Sequence, residues 1–164
     1  MNGAEIHLLL NHIPVVGLFF VVALLTYALI RKNVPLVNIC VVFTLLLAVV
    51  TIPVNNSGEE AEEIVEEMGR DHDLIHEHEE AAELALFLML GLGGICIAYI
   101  FLLKRNEYVA HILSIILLAG CLGTSIYMAQ VAHSGGEISH PEIRDGFTPE
   151  AHEMHEEHEE ADDD

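Results

Sequence analysis

Four apolar blocks, each long enough to cross a bilayer, alternate with stretches dominated by acidic side chains. They run from Ile6 to Ile30, Val34 to Val54, Ala81 to Leu103 and Tyr108 to Ala132. At a rise of 1.5 Å per residue, about 20 residues cover ~30 Å of hydrocarbon. A soluble domain mixes charge and apolar surface, whereas here 52% hydrophobic content and a net charge of −20 coexist because the two kinds of residue are segregated. The pattern predicts an all-α, integral membrane four-helix bundle over residues 1–144, with spans at about 8–30, 35–54, 81–103 and 108–132 and a loop at 55–80. An acidic, His-rich tail occupies 145–164. Met1 to Glu5 carries no Lys or Arg, and the first block ends at Arg31-Lys32 without a small-residue cleavage site, so it is read as a span and not as a leader.

Charge assigns partners and sidedness. Twenty-six acidic against six basic residues leave no basic footprint for nucleic acid, and the first partner implied is the lipid bilayer. Arg31 and Lys32 lie between the first two blocks, and Lys104 and Arg105 between the last two. The positive-inside rule places these two turns in the cytoplasm and both termini outside, as expected for a multi-pass protein of a bacterial inner membrane. The outside is then strongly acidic, with eleven Asp/Glu and one Arg between Asn55 and Glu80.

Histidine follows the same asymmetry. Ten of eleven, at positions 7, 12, 72, 76, 78, 133, 140, 152, 155 and 158, fall at or beyond the outer face, and only His111 lies toward the inner one. Ser57 followed by Glu60 has capping-box spacing, which predicts a short amphipathic surface helix carrying Ala61, Ile64, Val65 and Met68 and ending at Gly69. Asp71 or Asp73 then caps a helix running from about Leu74 into the third span. On that helix, Leu74, Ile75, His78, Ala81, Ala82 and Ala85 share a mostly apolar face, opposite His72, His76, Glu79, Glu80 and Glu83. His78 is thus the bundle-facing candidate, and His76 a solvated residue or a weak surface ligand with Glu80. Glu83 sits a turn inside the apolar block, where a carboxylate needs a partner or reaches for water.

In the first span, Asn11-His12-Ile13-Pro14 puts polar side chains just inside the outer boundary, at a depth expected to match His78 and His133, with Pro14 able to start or kink the helix. Gly91, Gly93 and Gly94, with a line of Gly120, Gly123, Tyr127, Gln130 and Ser134, allow close helix packing. Ser134-Gly135-Gly136 is expected to stop the fourth span, after which Glu137 to Arg144 folds back over the bundle mouth. Cys40, Cys96 and Cys121, in separate blocks and without a paired motif, read as buried apolar fillers and not as a disulfide framework or zinc ribbon.

These segments carry a resemblance. Asn11-His12-Ile13-Pro14, Ser57-Gly58-Glu59, His78-Glu79-Glu80-Ala81-Ala82-Glu83, and Gly135-Gly136 with His140-Pro141-Glu142-Ile143-Arg144 make the chain similar to uncharacterised bacterial four-span membrane proteins of the domain-of-unknown-function 2231 family. The resemblance covers roughly residues 5–144 and implies a fold and a membrane location, without an activity.

No Ser/His/Asp pattern, phosphate loop or HExxH motif points to a stand-alone enzyme. The expected site is an extracytoplasmic His/Glu cluster: His12, His78, Glu79, Glu83, His140 and Glu142 for a transition metal such as Zn, Cu or Fe, or His12, His78 and His133 for haem b. Haem would serve electron transfer with a quinone or other membrane or periplasmic redox subunits, and a metal site would serve metal handling. The competing expectation is a non-catalytic accessory subunit of a respiratory-type membrane complex.

Overall fold

A computed structural model describes residues 3–144; the 145–164 tail with His152, His155 and His158 lies outside the described residues. All regular structure in this range is helical: α1 (Gly3–Leu10), α2 (His12–Ile30), α3 (Val34–Glu67), α4 (His72–Leu103) and α5 (Glu107–Ser139), followed by a 3₁₀ turn at Pro141–Ile143. Four helices, counting α1 with α2 as one rod, are long and apolar enough to cross a membrane.

The bundle closes because each rod carries one buried stripe at alternating steps of three and four. It runs through Pro14, Leu18, Val21, Leu25 and Ala28 on α2, Ala85, Met89, Leu92, Cys96 and Tyr99 on α4, and Ala110, Ser114, Leu117, Cys121, Thr124 and Met128 on α5. On α3 it includes Val37, Cys40, Val41, Thr44, Leu47 and Ala48. This spacing keeps one face toward the partners over the full length of a helix. α2 packs on α3, α3 on α4, α4 on α5, and α5 back on α2. Large apolar side chains such as Phe20, Phe43, Phe87 and Phe101 point outward, so the helices are apolar all round, as lipid-facing helices are.

Glycines set the tightest crossings. A Cβ on Gly17 would lie 2.7 Å from Leu47, one on Gly120 2.7 Å from Leu92, and one on Gly93 3.3 Å from Ala48. Gly91, Gly94 and Gly123 have no such neighbour, so only part of the glycine-rich pattern serves close packing. The three cysteines are buried on three different helices, yet Cys121 lies within electrostatic reach of both Cys96 and Cys40, so residues scattered in sequence share one core.

The turns follow their capping chemistry. The side chain of Asn33 accepts from Leu36 N–H, that of Asp71 from Asp73 N–H, and that of Asn106 from Val109 N–H. Gly69, at φ 70°, closes the end of α3 in the left-handed region that favours glycine. Of the two expected caps Asp71 is the one that caps α4, which starts at His72 and runs unbroken through the histidines into its apolar segment.

Two boundaries differ from expectation. No separate surface helix forms at Ser57: α3 is continuous for 34 residues, and the Ser57 hydroxyl donates back to Val54 O instead of capping a new helix. Pro53 costs this helix a backbone bond, but α1 lies along the segment beyond it and holds it, with Gly3 against Glu60 and His7 bonded to Val54 O. Likewise Ser134-Gly135-Gly136 does not end α5, which continues to Ser139. The stop comes at His140, the residue before Pro141, where the proline ring disfavours helical backbone. The first rod breaks at Asn11, three residues before Pro14, which has no N–H for the Leu10 carbonyl.

A 34-residue helix is about 51 Å long against ~30 Å of hydrocarbon. Since α3, α4 and α5 are joined to their neighbours by tight turns at residues 31–33 and 104–106, the excess length stands at the other end of the bundle. That end carries His7, His72, His76, His78, His133 and His140.

Candidate functional site at the histidine-rich end

Two imidazoles enter the interior of the bundle at this end. His7 on α1 and His78 on α4 are both half-buried and lie within electrostatic reach of each other. Each rests against a glycine on a neighbouring helix: a Cβ on Gly58 would come within 3.3 Å of the His7 ring, and one on Gly135 within 2.9 Å of the His78 ring.

Hydrogen-bond accounting fixes the tautomer of both rings. The Ser134 hydroxyl donates to Val131 O at 2.9 Å, which leaves its oxygen as the acceptor for His78 Nδ1–H, also at 2.9 Å. His7 Nδ1 lies 3.0 Å from Val54 O, an oxygen that can only accept, so this nitrogen also carries its proton. With Nδ1 protonated in the neutral rings, neither Nε2 makes a hydrogen bond to a described residue. An imidazole whose Nδ1–H is tied to a carbonyl or hydroxyl and whose Nε2 is bare has the orientation and tautomer of a metal-ligating histidine. Nearby, Asn11 Oδ1 is buried with no hydrogen-bond partner among the described residues.

The other expected site residues are placed elsewhere. His12 is exposed, one position off the buried stripe. Its depth also differs from that of His78. Counting from the Gly17–Leu47 and Gly93–Ala48 contacts, His12 is level with about Ile52 of α3 and Met89 of α4. His78 stands roughly 16 Å further toward the histidine-rich end. His133 is exposed, 3.8 Å from Glu137 on the same helix. His140 is exposed and 3.0 Å from Glu142, and Glu79 is engaged at 3.5 Å by His76 on the outside of α4. Glu83 is exposed and has no ion pair with a described residue. The structure thus does not bring His12, His78 and His140 together, and among the described residues no three His, Cys, Asp or Glu form a group able to hold a metal ion.

One ion pair crosses between the extensions of α3 and α4, His72 at 3.8 Å from Glu66, while His76 pairs within α4, 3.6 Å from Glu80. The segment after α5 folds against that helix, with Pro141 buried, Ile143 beside Gly136, and Arg144 Nε donating to Glu137 O at 2.9 Å. The Glu142 carboxyl is held below the usual carboxylate range, first by its own backbone N–H and then by His140.

His7 was not among the sequence candidates, although the signal for it exists. Stepping back from Pro14 along the buried stripe of α2 by seven residues reaches His7, and by three Asn11, whereas His12 falls beside the line. Ser134 was visible as part of the polar line on the fourth span; its role as the acceptor for His78 came only with the pairing of α4 and α5.

No family model matches the chain, and neither a curated protein nor a solved structure matches it.

Proposed function

We propose that the chain is a multi-pass protein of the bacterial cytoplasmic membrane, with its histidine-rich end outside. There His78, seconded by His7, ligates a transition-metal ion or a haem iron for metal handling or electron transfer. The observation that carries this proposal is the state of His78: half-buried, seated on Gly135, its Nδ1 bonded to Ser134 and its Nε2 without a hydrogen bond to a described residue. Burying a ring nitrogen that no described residue bonds costs free energy, and an iron, copper or zinc centre would supply its partner. His78 and His7 would hold the group, and a haem iron so held would supply electron transfer. Four basic residues at the turns 31–33 and 104–106 support the orientation.

The test is an absorption spectrum with metal analysis of the detergent-purified full chain. Cofactor is expected in the wild type, absent in His78→Ala, reduced in His7→Ala and retained in His76→Ala, whose ring lies on the outside of α4. A second reading, a non-catalytic accessory subunit, is favoured by the lack of a three-donor group among the described residues. Wild-type protein without metal or haem, after expression with both supplied, would refute the ligand reading and leave the accessory role.

A further inference from the structure

Beyond their apolar blocks, α3 and α4 continue as an antiparallel hairpin that turns at Gly69. Few apolar residues hold it: Ile75 is buried, and Ile64, Val65 and Leu74 are half-buried. Titratable side chains crowd the rest of the seam. Glu62 and Glu66 stand one helical turn apart on α3, and His72, His76 and Glu79 follow one another at four and three residues on α4. Glu62 is half-buried and within electrostatic reach of all four of the others. The pair of His72 Nε2 and Glu66 Oε1, at 3.8 Å, crosses from helix to helix. His76 pairs along its own helix with Glu79 and Glu80, which does not tie α4 to α3. On the other side α1 packs on α3, bringing Glu5 and His7, with Gly3 against Glu60.

Charge therefore decides how firmly the hairpin closes. With Glu62 ionised, the carboxylates of Glu62, Glu66 and Glu79 repel one another, and the first of them is partly withdrawn from water. A proton on Glu62 removes its share of that repulsion. A proton on His72 supplies the cation that Glu66 meets from the facing helix. Both groups hold their protons more tightly in the closed hairpin than in water. Burial, and then Glu79 and Glu66, push the Glu62 carboxyl up; a hydrogen bond at its own backbone, and then Glu66, push the His72 imidazole up. A group raised on closure contributes stability below its open-state titration, and that contribution is lost as pH rises through the closed-state one. The window thus runs from the carboxylate range to above the ordinary imidazole value.

We propose that the α3–α4 extension is a proton-operated clasp: with Glu62 neutral and His72 charged it closes over Ile75, and with both deprotonated it loosens and bares that residue. The clasp rests on this seam and does not depend on what His78 binds.

The test is hydrogen–deuterium exchange of the full chain in detergent, read by mass spectrometry from about pH 4.5 to about pH 8 and corrected for the intrinsic exchange rate. Exchange at residues 60–67 and 73–77 is expected to rise with pH, about tenfold for each unit that separates a closed-state titration from its open-state value. The buried middle of α5, around Leu117 and Cys121, should stay fixed. Glu62→Gln keeps the shape and removes the charge, so it should protect the hairpin at neutral pH and leave the step that belongs to His72. In Glu62→Gln/His72→Ala the response should vanish. Glu80→Gln, on a side chain that is 73% exposed and pairs with His76 on its own helix, should keep the wild-type response. Exchange that is independent of pH, that shifts equally throughout the bundle, or that responds in Glu62→Gln/His72→Ala as in the wild type would overturn the proposal. So would a Glu62→Gln protein less protected than the wild type at neutral pH.

Discussion

Gly135→Ala tests the seating of His78 most directly, because two opposing effects of known size meet at one atom. In the interior of α5, replacing glycine by alanine should stabilise the helix by about 1 kcal/mol through backbone entropy. The new Cβ, however, would lie 2.9 Å from His78 Cε1 and 3.3 Å from Nε2. The ring must move, and the bond to Ser134 goes with it, at about 1 kcal/mol for the bond and a further ~0.5 kcal/mol or more for an off-rotamer side chain. Gly135→Ala alone should therefore change stability little or lower it slightly. In a His78→Ala background the obstruction is gone and the same substitution should stabilise by about 1 kcal/mol. The double-mutant coupling is thus expected at about 1.5–2 kcal/mol, measurable by denaturant unfolding of the four proteins in detergent. A coupling below ~0.5 kcal/mol, with Gly135→Ala equally stabilising in both backgrounds, would show that the ring does not rest on Gly135. The lone-pair argument for His78 would fall with it.

Three further outcomes are expected. Single cysteines at Met68 and Glu142, both exposed, should react with an impermeant thiol reagent in intact cells while one at Asn106 should not; the native cysteines, buried to 1% exposure or less, need no replacement, and labelling at Asn106 alone would invert the proposed orientation. Tyr99→Phe removes the 2.8 Å bond to Asn38 between α4 and α3 and should cost about 0.6 kcal/mol, and no more than ~1.7 kcal/mol, in the same unfolding assay. The Glu142 carboxyl titrates below its unfolded value, so what it contributes to stability is present above that unfolded value and is lost as pH falls through the folded one; His140→Ala should raise its titration midpoint by NMR, and no change would mean that the pair at 3.0 Å is not formed in solution.

The four helices and most of their ends were legible in sequence, because hydropathy and capping residues act locally. Asp71 capped the helix it was expected to cap, and Gly69 ended the one before it. Ser57 misled for a physical reason: its capping-box spacing is a local signal, and a tertiary partner, α1 lying along α3, kept the helix whole past Pro53. The depth of His12 relative to His78 was not legible, since counting residues inward from Ile30 cannot report how far α4 extends beyond its apolar segment. Nor could the sequence show that Cys40, Cys96 and Cys121 share one core, or that His78 would find Ser134, because pairing between distant helices is decided by packing and not by any one segment.

The tight turns at residues 31–33 and 104–106 bear on how such a molecule can work with others. A stable protein–protein contact engages about 20–30 residues on each side. Two three-residue turns, even with the helix ends that flank them, present far less than this at that face of the membrane. Among the described residues, the surfaces large enough for a lasting partner are therefore the histidine-rich extension and the apolar sides of the bundle. The quiet end is also where a fluorescent protein or affinity tag, inserted into the 104–106 turn, should disturb assembly least.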